Sequence, residues 1–582
     1  MWDDPVAFLF GNFEYARLNT RYREAIGYDQ RMTIPTKLAA FGWNNLILEP
    51  GNLLIVVAYV GLGLPCRRLS PPVRAWQVLL AGVLLALAVG ALAPTPAWPQ
   101  YYYVLFPFLG LGALYGLRHA HPTLLDRRWF QWTGVAALLL GLALTGREYQ
   151  HLSNLVQPNQ WTPIQFHTTG QQVAALAGPD ARILTLASAL PLEGGAMIYP
   201  ELATGPFALR AGSFISETAG QPLHLVDPAR LESWLADQPP HAIVTGSYRG
   251  HAIDEEPLVA YAQQHGYTPL SLEDETLWLP GRAQWDDAIR LVTVTGVPKQ
   301  VMAGATITPV LLLENIARLD ENLNVTVRAV GQQGKTVVQS EGWPWGRPTS
   351  TWQLHEIWYD GHTLHLPADT QPGLYRIEVE FYSAAQEQIL PVTALGTPAP
   401  QETPYVADYF LVGERPPPPG QVLEPPPQFE NLAILAGFDL APPALAQGDE
   451  TIHVRLHWRP LGSLARNYTT FVHLVSPAGE LVAQHDKQPL DGFYPTTRWQ
   501  TTQPFADDFE LTPATTLPPG TYSLYVGFYE LDSGARLSVF PTTERRRLLT
   551  TVGERLFQAD AEQPSPTRSD AWLLTSITVG SQ

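Results

Sequence analysis

The chain has 582 residues, with 36 basic and 54 acidic side chains and one cysteine. A formal net charge of −18 argues against nucleic-acid backbones as partners, because phosphate contacts reward clustered Lys and Arg through counterion release. At roughly 150 residues per unit, this length predicts about four domains.

The charge is unevenly spread. The first 149 residues carry 12 basic and 8 acidic side chains, and the remaining 433 carry 24 and 46. A basic, apolar head therefore precedes an acidic, polar tail. Residues 1–50 open with WDDPVAFLFGNFEYARLNTRYREA, in which Asp3 or Asp4 caps a helix and Pro5 fills its first turn. Capping is favoured over a catalytic role for that acidic pair. Arg17 and Arg21 stand one helical turn apart, a spacing that suits either a shared phosphate or lipid headgroups.

Four apolar segments follow, Leu53 to Leu64, Trp76 to Leu92, Tyr101 to Leu117 and Trp129 to Leu144. A helix needs about 20 residues to cross ~30 Å of hydrocarbon, so with their flanks they are expected as four transmembrane helices within residues 51–146. The alternative is a set of buried helices in a soluble protein. Trp76, Trp98, Tyr101, Trp129 and Trp132 at segment ends match an interfacial aromatic belt. The loop after the first segment carries Arg67, Arg68 and Arg74, and the loop after the third carries Arg118, Arg127 and Arg128. Both are expected on the cytoplasmic side of a plasma-membrane protein. Residues 1–50 and everything after Gly146 then lie outside, and Cys66 falls in a cytoplasmic loop. No signal-like segment precedes Leu53, so upstream membrane segments are expected before Met1.

Residues 147–286 alternate helix and strand signals. ARILTLAS and HAIVTG read as buried strands, and DPARLESWLADQ as a helix capped at Asp227. Between them LEGGAMIYPELATGPFALRAG reads as an ordered functional loop. From residue 287 the pattern turns to β and repeats itself. PTSTWQ at 348–353 returns as PTTRWQ at 495–500, and PGLYRIEVEFY at 372–382 returns as PGTYSLYVGFY at 519–529, all at an offset of 147. Two sandwich repeats are predicted, at 287–414 and 429–582, joined by a proline-rich spacer at 415–428. They are expected to bind or to space.

Chemical motifs in the tail are weak. VGQQGKT lacks the first glycine of a phosphate loop, since Ala329 stands there, and a hairpin turn at Gly334 explains it. His453 and His457 share one strand face, which reads as a solvated polar face before a metal site, and His362 and His365 point to opposite faces. Asn324 and Asn467 head N-x-T sequons. No metal and no cofactor is expected.

The basic, aromatic N-terminal segment, PQYYYVLFPFLGLGALYGL and GGAMIYPELATGPFALR together resemble the C-terminal portion of a GT-C membrane glycosyltransferase of the protein-mannosyltransferase and aminoarabinose-transferase type. The resemblance covers residues 1 to about 285 and includes no catalytic signature. It implies transfer of a sugar from a polyprenyl-phosphate carrier to an envelope glycan or protein acceptor at the outer membrane face, with the family's acidic base absent from this chain and supplied by an upstream half. Arg17, Arg21, Arg31, Tyr101, Tyr102 and Tyr103 are the candidate partners of the carrier's phosphate, an interfacial tyrosine belt being the plainer role for the tyrosines. The expected fold is a four-span helical bundle, a small α/β domain and two β-sandwich repeats. A non-enzymatic, membrane-anchored display module with the sandwiches as its binding surface is the second reading.

Overall fold

A computed structural model describes residues 5–28, 30–63, 70–120, 123, 126–144, 154–178, 181–247, 252–395, 404–445, 450–462, 464, 466–501, 503–542 and 569–580. Asp3, Asp4, Cys66, Arg67 and Arg68 lie outside them. The chain divides into two compact units, one of Met1–Thr168 with Pro200–Trp234, the other of Thr169–Tyr199 with Leu235–Gln582.

The first unit is helical. Helices Pro5–Leu9 and Tyr15–Ala25 are joined through a wider π-helical turn at Phe10–Glu14. Helix Ile34–Ala40 starts at a reciprocal cap between Thr33 and Thr36 and runs into a second π-helical turn, Phe41–Ile47. The expectation of four membrane spans is not met. Among the described residues one helix, Pro71–Leu92, is long and apolar enough to cross a membrane. Its 22 residues reach about 33 Å at 1.5 Å each, and Trp76, Leu79, Leu85 and Val89 stand exposed along it. The first apolar segment is nine α-helical residues, Pro50–Ala58, before the helix widens at Tyr59–Gly63. The third loses its start because Pro99–Tyr102 forms a separate 3₁₀ turn, so the helix is only Leu105–Ala120. The fourth, Arg128–Leu144, has 17 residues, about 26 Å. Apolar composition counted residues that a proline-led turn takes out of the helix.

The segment expected as an ordered loop contributes helix Pro206–Gly212 to this same unit, against helix Tyr15–Ala25. Tyr15 meets Phe207 edge to face at 5.8 Å between ring centroids. Buried Arg210 lies over the rings of Phe207 and Tyr22.

The second unit is mostly sheet. Its α/β part has five strands in the order Met197–Ile198, Arg182–Thr185, Ala242–Thr245, Glu275–Leu279, Thr268–Leu272. The first three are parallel and the last two antiparallel. Ile183, Leu184, Ile243 and Val244 are fully buried, as strands covered on both faces require.

Two sandwiches follow with one topology. In the first, a sheet ordered Ile357–Gly361, Val310–Asn315, Ile289–Thr295, Ala283–Trp285, Val392–Ala394 shares a core with a sheet ordered Thr336–Gly342, Leu323–Gly331, Gly373–Ser383, Tyr405–Val412. In the second, Phe505–Leu511, Ile452–Pro460, Ala433–Ala441, Pro427–Phe429, Val539–Pro541 share a core with Leu481–Lys487, Tyr468–Val475, Gly520–Glu530, Trp572–Val579. Strand by strand the orders coincide. Trp285 packs on Phe381 at 4.9 Å, and Phe429 packs on Phe528 at 5.3 Å in the corresponding place.

The repeated PT(S/T) motif is a lock. Thr349 Oγ1 accepts from Leu323 N at 2.9 Å and donates to Glu321 O at 2.8 Å, while Thr496 Oγ1 accepts from Tyr468 N at 2.9 Å and donates to Arg466 O at 3.1 Å. Asn322 and Asn467 each receive the next residue's N–H and hydroxyl, from Ser350 and Thr497. Asn467 is thus engaged in the lock. The proline-rich segment, expected as a spacer, instead adds strands: Gln421–Val422 and Pro427–Phe429 both pair with Ala433–Ala441. The sandwiches pack on each other, with the Tyr409 hydroxyl donating to Phe493 O at 2.9 Å and Gln500 Nε2 to Asp408 Oδ1 at 2.6 Å.

Candidate functional site

The candidate site is the segment Ala93–Tyr103 in the first unit, between Pro71–Leu92 and Leu105–Ala120. It reads APTPAWPQYYY, and its prolines leave few backbone N–H groups to close turns of its own. Its carbonyls are instead met by the N-terminal helices. Thr20 Oγ1 donates to Thr95 O at 3.3 Å, Asn45 Nδ2 to Pro99 O at 3.0 Å, and Ala97 N reaches Arg31 O at 3.2 Å. Arg31 sits at φ 59°, a left-handed conformation that directs its carbonyl to that contact.

Three cations converge here. Lys37 is 3% exposed, and its Nζ donates to Leu92 O and to Thr95 Oγ1, both at 2.9 Å. It caps the carbonyl end of Pro71–Leu92, where the helix dipole favours positive charge. Burial holds its pKa below the ordinary lysine value, since desolvation penalises the charged form. The Arg31 guanidinium lies 4.4 Å from the Trp98 ring centroid and donates to the Tyr28 hydroxyl at 3.1 Å. Buried Arg23 lies over Tyr28 at 4.7 Å and Trp98 at 5.8 Å. Aromatic faces carry a negative quadrupole, so they stabilise these cations. Asn45 is fully buried, and its Oδ1 has no hydrogen-bond partner among the described residues.

The sequence candidates separate. Arg31 is part of the cluster, and Tyr102 is buried beside it, its ring 4.8 Å from Phe41 and its hydroxyl 3.5 Å from Lys37 O. Tyr103 points to Glu49, to which its hydroxyl donates, and Tyr101 is exposed. Arg17 pairs with Glu14 on an exposed stretch of helix, and Arg21 is exposed too. The one-turn pair Arg17 and Arg21 therefore stays at the surface while Arg23 and Lys37, not singled out by spacing, face inward. The signal for Lys37 was a lone lysine within the apolar run IPTKLAAF.

Several charged groups in the second unit are paired with one another. Arg328 meets Glu378 at 2.8 Å and Glu380 at 3.0 Å, and Lys487 meets Asp507 at 2.9 Å. His362 meets Asp360 at 2.8 Å, His457 meets Asp439 at 2.7 Å, and His453 reaches only Glu510, at 3.5 Å. His453 and His457 thus serve separate carboxylates. Among the described residues no group of three or more His, Cys, Asp or Glu side chains is placed to hold a metal ion.

No family model matches the chain, and no curated protein matches it. Among solved structures it is similar to a red sea bream transglutaminase at 11% identity, over 50% of this chain and 34% of that one, with a TM-score of 0.13. This chain thus spans about a third of that structure's length, and a likeness of that size carries no argument about fold or activity.

Proposed function

We propose that the chain is part of a polyprenyl-phosphate-sugar-dependent glycosyltransferase held at the membrane by Pro71–Leu92, with its first unit meeting the carrier's phosphate. The observation that carries this reading is the cluster of Lys37, Arg31 and Arg23 around APTPAWPQYYY, at the end of the one helix among the described residues that is apolar and long enough to span. A lipid carrier presents an anion beside an apolar tail, and a site for it needs cations at the end of an apolar surface. The chemistry of transfer is assigned to no residue of this chain.

A photoactivatable polyprenyl-phosphate sugar in vesicles containing the purified chain tests this. Crosslinks are expected in the peptide spanning residues 93–103, and Arg31→Gln is expected to lower their yield about tenfold, the equivalent of 1.4 kcal/mol. Crosslinks spread evenly over the chain, or unchanged by Arg31→Gln, would remove the reading.

The second reading, a membrane-anchored display module, is favoured by one observation in the first sandwich. Trp343 and Trp345 are about half exposed on it, and Trp345 is held at φ 52° with its N–H on Asp360 Oδ1 at 2.6 Å. Exposed aromatics in a fixed loop suit a binding surface. Retention of the chain on an envelope-glycan column, lost on Trp345→Ala while carrier crosslinking is absent, would favour this reading over the first.

A further inference from the structure

The excursion Pro200–Trp234 of the first unit contains a cavity built from residues the carrier reading does not use. The close of helix Pro206–Gly212 and the chain at Val226 touch backbone to backbone. A Cβ at Gly212 would lie 1.9 Å from Val226 O, so only glycine allows the approach. Val226 N donates to Ala208 O at 3.3 Å and Leu225 N to Gly220 O at 3.1 Å, and His224 turns the chain at φ 52°. Beside this crossing lies a cavity of 510 Å³, within the ~300–1,000 Å³ of ordinary ligand sites.

Its lining combines one aromatic wall with polar groups of both kinds. Trp234 forms the wall, and Glu201, Asp227, Arg230, Ser216 and His224 supply the polar edge. Asp227 is fixed in direction, because its Oδ1 accepts Ala229 N at 3.1 Å as the cap of the following turn. Two carboxylates against one guanidinium leave the lining with formal charge −1 when His224 is neutral. A phosphate would meet net repulsion there, in contrast to the cationic cluster around Trp98. A wholly apolar ligand would strip water from both carboxylates and return nothing. A neutral carbohydrate suits this lining: its hydroxyls donate to Asp227 and Glu201, its oxygens accept from Arg230, and its C–H face stacks on Trp234.

We infer that this cavity binds a neutral sugar, of the size of a mono- or disaccharide, through Trp234, Asp227, Glu201 and Arg230. The site does not depend on the carrier reading, since it shares no residue with the cluster around Trp98.

Calorimetric titration of the full chain in nanodiscs with mannobiose, maltose and N,N′-diacetylchitobiose, and with inorganic phosphate, tests it. At least one disaccharide is expected to bind with a Kd of about 1 mM or tighter, with a change in tryptophan fluorescence, and phosphate is expected not to compete. Asp227→Asn keeps the cap, because Asn caps as well as Asp, and is expected to weaken that disaccharide about tenfold. Trp234→Phe is expected to abolish the fluorescence change while keeping measurable binding. Absence of binding by all three sugars at that affinity overturns the inference. So does binding that Asp227→Asn leaves unchanged, or competition by phosphate. Sugar binding without carrier crosslinking would leave this inference standing and remove the carrier reading, and the reverse result would do the opposite.

Discussion

Lys37 in the first unit and Lys487 in the second sandwich are both largely withdrawn from water, and they are held in opposite ways. Lys37 is met by a helix-end carbonyl and a threonine hydroxyl, with no ion pair among the described residues, and burial lowers its pKa. Burial alone would lower Lys487 too, yet Asp507 and Asp491 turn the net shift upward. A lysine that has spent its charge on a buried carboxylate is part of the scaffold. One met by neutral acceptors has no counter-charge beside it among the described residues. The first unit repeats this pattern with Arg31 over Trp98, and the second repeats its own with Arg328 between Glu378 and Glu380.

The difference can be broken first at the paired lysine. Lys487→Met leaves Asp507, 1% exposed, as an uncompensated buried charge, and is expected to cost the second sandwich about 3–5 kcal/mol in denaturant unfolding. Adding Asp507→Leu should recover most of that loss, because removing both charges lifts the desolvation cost. Next in size is the lock that both sandwiches share. Thr496→Val strands Tyr468 N and Arg466 O and is expected to cost about 1–3 kcal/mol, with Thr349→Val doing the same in the first sandwich. A smaller effect is expected at the unpaired lysine. Lys37→Met should change thermal stability by about 1 kcal/mol or less, the scale of a cation at a helix end, while the carrier crosslink falls sharply. A loss at Lys37 as large as that at Lys487 would erase the contrast.

The smallest effect is in pH. The Asp439 carboxyl is held below the usual carboxylate range by its hydrogen bond from His457, by Gly420 N–H and by nearby Arg455. Its folded value is lower than its unfolded one, so it stabilises above the unfolded value and that contribution fades as pH falls through the folded value. Unfolding of the second sandwich followed in acid should show this fade, and His457→Gln should flatten it.

The doubled sandwich was legible because the repeat is written in side chains the fold needs at fixed places, Trp352 and Trp499 among them. The lock partners were not legible, since Leu323 and Tyr468 take part through backbone N–H groups that any residue supplies. The strand ARILTLAS appears as Arg182–Thr185 and HAIVTG as Ala242–Thr245, short runs whose apolar content is continuous. The spans were misjudged because apolar composition does not say where a helix starts. Pro99 opens a separate turn that takes Tyr101 and Tyr102 out of the next helix. Of the residues that chemistry and position single out, Arg31 and Tyr102 lie in the cluster around Trp98. Arg23 and Lys37 were passed over because helical spacing drew attention to Arg17 and Arg21, which lie on the exposed side.

The cluster around Trp98 stands or falls on its preference for an anion. The direct measurement compares, in nanodiscs, the affinity of the chain for a polyprenyl phosphate and for the polyprenol of the same length. The phosphate is expected to bind at least about tenfold more tightly, with the difference shrinking on Arg31→Gln. Equal affinities for the two lipids would show that the cations serve only to hold the segment Ala93–Tyr103 in place.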